Sequence, residues 1–150
     1  METKTNYKTI TIQQLDDFGI YDQTLQKFKE NAKDETIEII PESFNRLRSE
    51  ELEDLVDAVS YHFPPKMQKY YTDKMKSLQT THMANLEQHS RTYRKLLKLV
   101  EDRKVREILG SGFLELQAEM YDEFTSSRKD LVCELLSRYV ESLELSVSPS

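Results

Sequence analysis

The chain has little with which to turn corners. Its 150 residues include three glycines and four prolines, which argues against a turn-rich β architecture and for long helices. Tryptophan is absent, and cysteine occurs once, at Cys133. A single cysteine excludes a disulfide within the chain and fits a reducing compartment, the cytoplasm of a prokaryote or the nucleus of a eukaryote. Set inside a helical pattern, Cys133 reads as a small buried hydrophobe. No stretch approaches the ~18 consecutive apolar residues that a membrane span requires. The opening METKTNYKT also lacks the apolar run of a signal peptide.

What is present is charge and helix-forming residues. The composition is 37% hydrophobic and 32% charged, enough for one modest core with much polar surface to place. The net charge of −6 opposes a non-specific grip on a phosphate backbone, so direct nucleic-acid binding is expected to be weak or absent. The charge is unevenly spread. Residues 91–106 carry seven basic side chains against Glu101 and Asp102, a net of +5, whereas residues 107–150 carry nine acidic and three basic ones, a net of −6. A basic segment followed by an acidic one suggests pairing within the chain or between subunits.

The pattern predicts a flexible N-terminus over 1–10, a single helical domain over 11–145 and a flexible tail over 146–150. Thr11-Ile12-Gln13-Gln14 fits a capping box, and Leu15, Phe18, Leu25 and Phe28 follow at apolar positions interrupted by Gly19. Residues 35–40 alternate polar and β-branched side chains up to Pro41, an extended piece with no convincing partner strand. Pro41 starts a helical turn, Ser49 caps the next helix, and Leu52, Leu55, Val56 and Val59 line its inner face. His62-Phe63-Pro64-Pro65 ends it.

Between Lys66 and Leu109 there is neither glycine nor proline. Tyr71, Met75, Leu78, His82, Leu86, His89, Tyr93, Leu97, Val100, Lys104 and Ile108 step by fours and threes, and the pattern returns every 11 residues. That period describes a nearly straight helix rather than a left-handed supercoil. Some 40 residues would run roughly 60 Å, more than a compact domain of this size needs. Either part of this helix packs on another subunit or a break falls near Thr80-Thr81. Gly110-Ser111-Gly112 is expected to close it. A short apolar helix follows over 113–124, then a capping cluster at 125–127, then a last helix with a wide apolar stripe from Leu131 to Leu143. The fold class is all-α: a helical bundle on one long central helix, with a short extended segment near 35–40.

No constellation carries chemistry. His82 and His89 share a helix face, but two turns hold their rings about 10 Å apart, too far for one metal. His62 lies beyond the break. The carboxylates of Glu50, Glu51, Glu53 and Asp54 read as a solvated face at a helix start. The GSG at 110–112 follows a helix and lacks the Lys-Ser/Thr of a phosphate loop, and no serine sits on a strained elbow. Catalytic, cofactor and metal residues are therefore expected to be absent. The interface candidates are Leu78, Leu86, Tyr93, Leu97, Val100, Phe113, Leu116 and Met120. Arg91, Arg94, Lys95 and Lys98 form a basic surface, either solvated or facing an acidic partner.

Three stretches, in this order, resemble the GINS family of DNA-replication proteins, especially archaeal forms with the helical domain first. LQKFKENAKDETIEIIPESFNRL, residues 25–47, is similar to the family's early helix, extended segment and L-x-P-x-x-F lead-in to the next helix. YRKLLKLVEDRKVREIL, residues 93–109, resembles its basic helix ending in R-x-x-K-I-L, with Glu107 where a basic residue is usual. The apolar and acidic segments over 113–143 follow in the family's order. The resemblance spans about residues 15–145, and the family adds a small β-rich domain where this chain stops. It implies a non-enzymatic scaffold: a subunit of a homo- or hetero-tetramer that joins the MCM helicase to a RecJ-like partner, with no cofactor. The other reading is a stand-alone helical homo-oligomeric adaptor or regulatory protein.

Overall fold

A computed structural model of the chain describes residues 8–147, with side chains described as far as Glu144. The expected flexible termini fall largely on residues 1–7 and 148–150, which lie outside the described residues. The fold is all-α apart from one short strand pair. In chain order come β1 (Thr9–Thr11), α1 (Ile12–Asp17), α2 (Asp22–Asn31), β2 (Thr36–Glu38), a 3-10 turn (Pro41–Phe44), α3 (Ser49–Ser60), α4 (Pro65–Leu99) and α5 (Arg103–Val147). Where one domain was expected over 11–145, the chain divides into two compact units. One comprises the residues up to Met75 with those from Arg128 onward, and the other comprises 76–127.

The first unit holds the core. Thr11 starts α1 as expected: its Oγ1 accepts from the Gln14 amide at 3.0 Å while the Gln14 side chain accepts from the Thr11 amide at 2.9 Å. Gly19 adopts φ +79°, a left-handed conformation suited to glycine, and thereby separates α1 from α2. The extended segment does find a partner. β1 pairs antiparallel with β2, Ile10 opposite Ile37, and both side chains are buried. The alternation over 35–40 marks β2 in the sequence, but its partner β1 is only three residues long, too short to be recognised from pattern alone.

Leu15, Phe18, Leu25 and Phe28 are buried, and Phe28 meets Phe44 edge-on at 5.8 Å. Against them pack Leu52, Leu55, Val56 and Val59 of α3, Tyr71 and Met75 of early α4, and Leu131, Val132, Leu135 and Leu136 of late α5. Each such side chain contributes about 1.5–3 kcal/mol of burial. His62 sits between Phe18, at 5.4 Å, and Tyr139, at 6.3 Å, as part of an aromatic cluster.

Two buried charges tie the helices together. Glu51, at the third position of α3, reaches back to accept from the Arg48 amide at 2.9 Å. It also accepts from Thr24 Oγ1 at 2.7 Å and pairs with Lys27, both on α2. Capping of α3 thus falls to the Glu51 carboxylate, and Ser49, expected in that role, has a different task. Its carbonyl and hydroxyl accept from the buried Arg128 guanidinium at 2.9 and 2.7 Å, which binds α5 to the start of α3. Glu53 lies 3.7 Å from the same guanidinium.

The helix boundaries differ most from expectation. α4 runs without a break through Thr80-Thr81 and ends at Leu99, ten residues short of Leu109. Gly110–Gly112 and Thr125–Ser127, read as caps, lie inside the single helix α5. The run 93–109, taken as one basic helix in the GINS resemblance, is two helix ends and a turn. The turn is made by side chains. Asp102 Oδ1 accepts from the Lys104 amide at 2.8 Å, starting α5. Arg106 Nη1 donates to the Leu97 and Val100 carbonyls at 2.7 and 2.9 Å, satisfying the end of α4.

A candidate interaction surface on the helical hairpin

The second unit is an antiparallel pair: residues 76–99 of α4 turn at Val100–Asp102 and return as residues 103–127 of α5. The seam is set by the 11-residue pattern. Leu78, His82, Leu86, His89, Tyr93, Leu97 and Val100 are half-buried, and most of the intervening α4 positions are exposed. Phe113, Gln117, Met120 and Phe124 are half-buried on the returning helix. Tyr93 stacks on Phe113 at 4.5 Å and 8°, and His82 stacks on Phe124 at 4.4 Å and 2°.

Gly110 matters here for its lack of a side chain. A Cβ on it would stand 3.2 Å from the Tyr93 hydroxyl oxygen, so the tyrosine lies close over the α5 backbone. Gly110→Ala trades that tight contact against alanine's better helix propensity and is expected to be near neutral. Gly110→Val must displace the stacked ring and is expected to destabilise the chain by about 1–3 kcal/mol, read from urea denaturation.

Two helices cannot enclose a core. Among the described residues 76–127 not one is fully buried. Eight of the exposed large apolar side chains fall in this stretch: Met83, Leu96, Leu99, Val105, Ile108, Leu114, Leu116 and Tyr121. Leu99 is 80% exposed and Ile108 70%. Of the expected interface residues, Leu78, Leu86, Tyr93, Leu97, Val100, Phe113 and Met120 are half-buried in the hairpin's own seam, whereas Leu116 points outside it. The long helix's first shield is therefore the returning helix α5 of the same chain. The sequence carried a sign of the outer face that reading the stripe alone missed. The row one residue ahead of the seam, Thr81, Asn85, Gln88, Thr92, Leu96 and Leu99, bears no charge.

The basic candidates Arg91, Arg94, Lys95 and Lys98 are all exposed. Arg91 pairs with Glu87 one turn back, and Arg94 Nε donates to the Ser90 carbonyl at 3.4 Å. Among the described residues, no three His, Cys, Asp or Glu side chains gather as metal ligands, and no helix is long and apolar enough to cross a membrane.

The shifted titratable groups sit in the first unit. Burial alone would raise the Glu51 carboxyl, but the Arg48 amide, Lys27 and Thr24 outweigh it and hold it at about 2. A carboxylate that acidic is a poor proton shuttle near neutrality. Burial, with Asp130 and Glu42 nearby, pushes the Cys133 thiol up to about 12. Cys133 is therefore expected to alkylate with iodoacetamide at least ten times more slowly at pH 8 than a free thiol, and to reach the free-thiol rate in urea. Equal rates in the folded and unfolded chain would contradict this.

The chain matches no known protein-family model, no curated protein and no solved structure.

Proposed function

We propose that this chain is a non-enzymatic helical assembly subunit that works by docking protein on its hairpin. The observation that carries this is the contrast between the two units. One buries nineteen apolar side chains, while the other, over 76–127, buries none and leaves eight large ones exposed. Exposed apolar surface gathered on one element marks an interaction site. The Glu51 carboxylate is engaged by Thr24, Lys27 and the Arg48 amide, which supports a structural role for this buried charge.

The GINS resemblance gives the proposal its specific form: a subunit of a tetramer that joins the MCM helicase to a RecJ-like protein. That form rests on the order of the segments 25–47 and 93–143 in the sequence. A stand-alone oligomeric adaptor is the second reading, favoured by the turn at 100–102 inside the basic run.

Affinity capture from native extract tests both, using the wild-type chain and the Leu96→Glu/Leu116→Glu variant. Wild type is expected to recover stoichiometric partners that the variant loses while keeping its helical circular dichroism. MCM and RecJ-like proteins among them support the replication form. Identical recovery with both chains removes the hairpin as the docking face.

A further inference from the structure

We propose that one flank of the hairpin docks a basic amphipathic helix of another protein, laid lengthwise between α4 and α5 with its cations against Glu119 and Glu123. This deepens the assembly reading and rests on it.

The flank is marked by a cleft at the root of the hairpin. Leu78, Met120 and Phe124 line its floor, with Thr81 and Asn85 of α4 on one rim and Glu123 of α5 on the other. At about 160 Å³ it is smaller than a small-molecule pocket of ~300–1,000 Å³, and close in size to a cavity that holds one benzene ring. It suits a single Leu, Met or Phe side chain. Helical spacing carries both rims toward the turn. On α4, Thr81 and Asn85 lead in steps of three and four to Gln88, Thr92, Leu96 and Leu99. On α5, Glu123 leads back in the same steps to Glu119, Leu116 and Gly112. From Thr81 to Leu99 the groove runs about 27 Å, the length of a helix of about 18 residues.

The walls and their charge choose the occupant. Both walls are helices whose backbone groups are bonded internally, so an extended peptide finds no ladder to join, whereas a helix brings its own hydrogen bonds. Gly112 leaves its place in the α5 row open, because a Cβ there would meet nothing within 4 Å, and a helix can approach closely. The charge lies on one side only. Glu119 and Glu123 are exposed, stand one turn apart, and form no ion pair among the described residues. No Lys or Arg stands three or four residues from either of them on α5, and across the groove Thr81, Asn85, Gln88 and Thr92 are uncharged. Like charges one turn apart repel. A helix with Lys or Arg along one edge relieves that repulsion, while its apolar stripe covers Leu96 and Leu116 and sets one side chain into the cleft.

Fluorescence anisotropy on the full chain tests this with a labelled peptide of about 18 residues, built of Leu, Lys, Gln and Ala. It carries one leucine stripe with lysines along its edge. The controls are the same peptide with Glu for Lys, and a peptide of the same composition with the stripe scrambled. The chain is expected to bind the first peptide at least tenfold tighter than either control. Glu119→Lys/Glu123→Lys is expected to reverse the preference in favour of the Glu peptide, a gain that a misfolded chain cannot imitate. Glu115→Lys/Asp122→Lys makes the same change of net charge on the outer side of α5 and is expected to shift the Kd less than about threefold. No preference for the striped Lys peptide, or equal weakening by the two pairs of substitutions, overturns the proposal. A dimer in sedimentation velocity that Leu96→Glu/Leu116→Glu dissolves puts a second copy on the flank and also overturns it. Should the basic helix fail, protein capture that is still lost on Leu96→Glu/Leu116→Glu leaves the assembly reading standing, and unchanged capture overturns both.

Discussion

Replacing Glu51 by alanine is expected to cost the chain about 3 kcal/mol, nearly the largest loss any single polar substitution will produce here. The side chain is 5% exposed and serves Thr24 Oγ1, Lys27 and the Arg48 amide at once. Its removal leaves a buried hydroxyl, an ammonium and a helix-start amide without their acceptor. Glu51→Gln keeps the shape and some acceptor capacity, so it should fall between alanine and wild type.

The effect has a pH signature of definite sign. The folded-state pKa, about 2, lies below the ordinary 4.5, so the carboxylate's contribution is complete above pH 4.5 and is lost as pH falls toward 2. Urea midpoints measured through that window should fall steeply for wild type and far less for Glu51→Ala. Parallel curves for the two proteins would mean that the carboxylate is not the link between α2 and α3.

Tyr71→Ala is expected to destabilise the chain by about 3–5 kcal/mol, because a fully buried aromatic ring cannot be removed without leaving a cavity. Tyr71 is fully buried among Phe63, Tyr70 and the end of α5. Its hydroxyl makes a long contact of 3.5 Å to Glu134, which in turn pairs with Arg138. Burial first, and the Glu134 charge second, push the phenol up to about 12. A raised folded-state value means that the stabilisation is complete below pH 10 and is lost as pH rises toward 12. Tyr71→Phe should keep most of the packing and lose that alkaline limb. Thermal melts of the three proteins across alkaline pH separate the ring's contribution from the hydroxyl's.

Much of the fold was legible because its signals are local. Thr11 and Gln14 form the capping box their spacing suggests, Gly19 divides two helices, and Leu52, Leu55, Val56 and Val59 are buried together. The 11-residue stripe marked the half-buried seam residue by residue from Leu78 to Val100, whereas its last two members, Lys104 and Ile108, lie beyond the turn and are exposed. Each of these depends on contacts within a few residues or on one helical period.

The errors share a cause as well. Gly110–Gly112 and Thr125–Ser127 carry the residue types of helix ends, yet they lie inside α5. Gly110 answers to Tyr93, seventeen residues away, and this tertiary need is invisible to a local rule. Conversely, the true turn at 100–102 has no glycine or proline; Asp102 and Arg106 build it through side-chain hydrogen bonds to backbone. The candidate surface was half legible for the same reason. The stripe announced an apolar seam, but whether α5 of the same chain or another subunit covered it depended on where the chain reversed. Once it reverses at Leu99, the seam is satisfied in part, and exposed apolar side chains remain on the flank carrying Leu96, Leu99 and Leu116.

The most direct test of the hairpin as a docking element is amide hydrogen exchange resolved along the chain, at high dilution and again in the assembled state. A hairpin that needs a partner should exchange quickly over 76–127 when dilute, while α3 and residues 131–136 stay protected. On assembly the protection of 76–127 should rise at least tenfold, most at the segments carrying Leu96, Leu99 and Leu116. Slow exchange over 76–127 that is the same at every concentration and with every added partner would show a hairpin sufficient in itself, and would contradict the assembly reading.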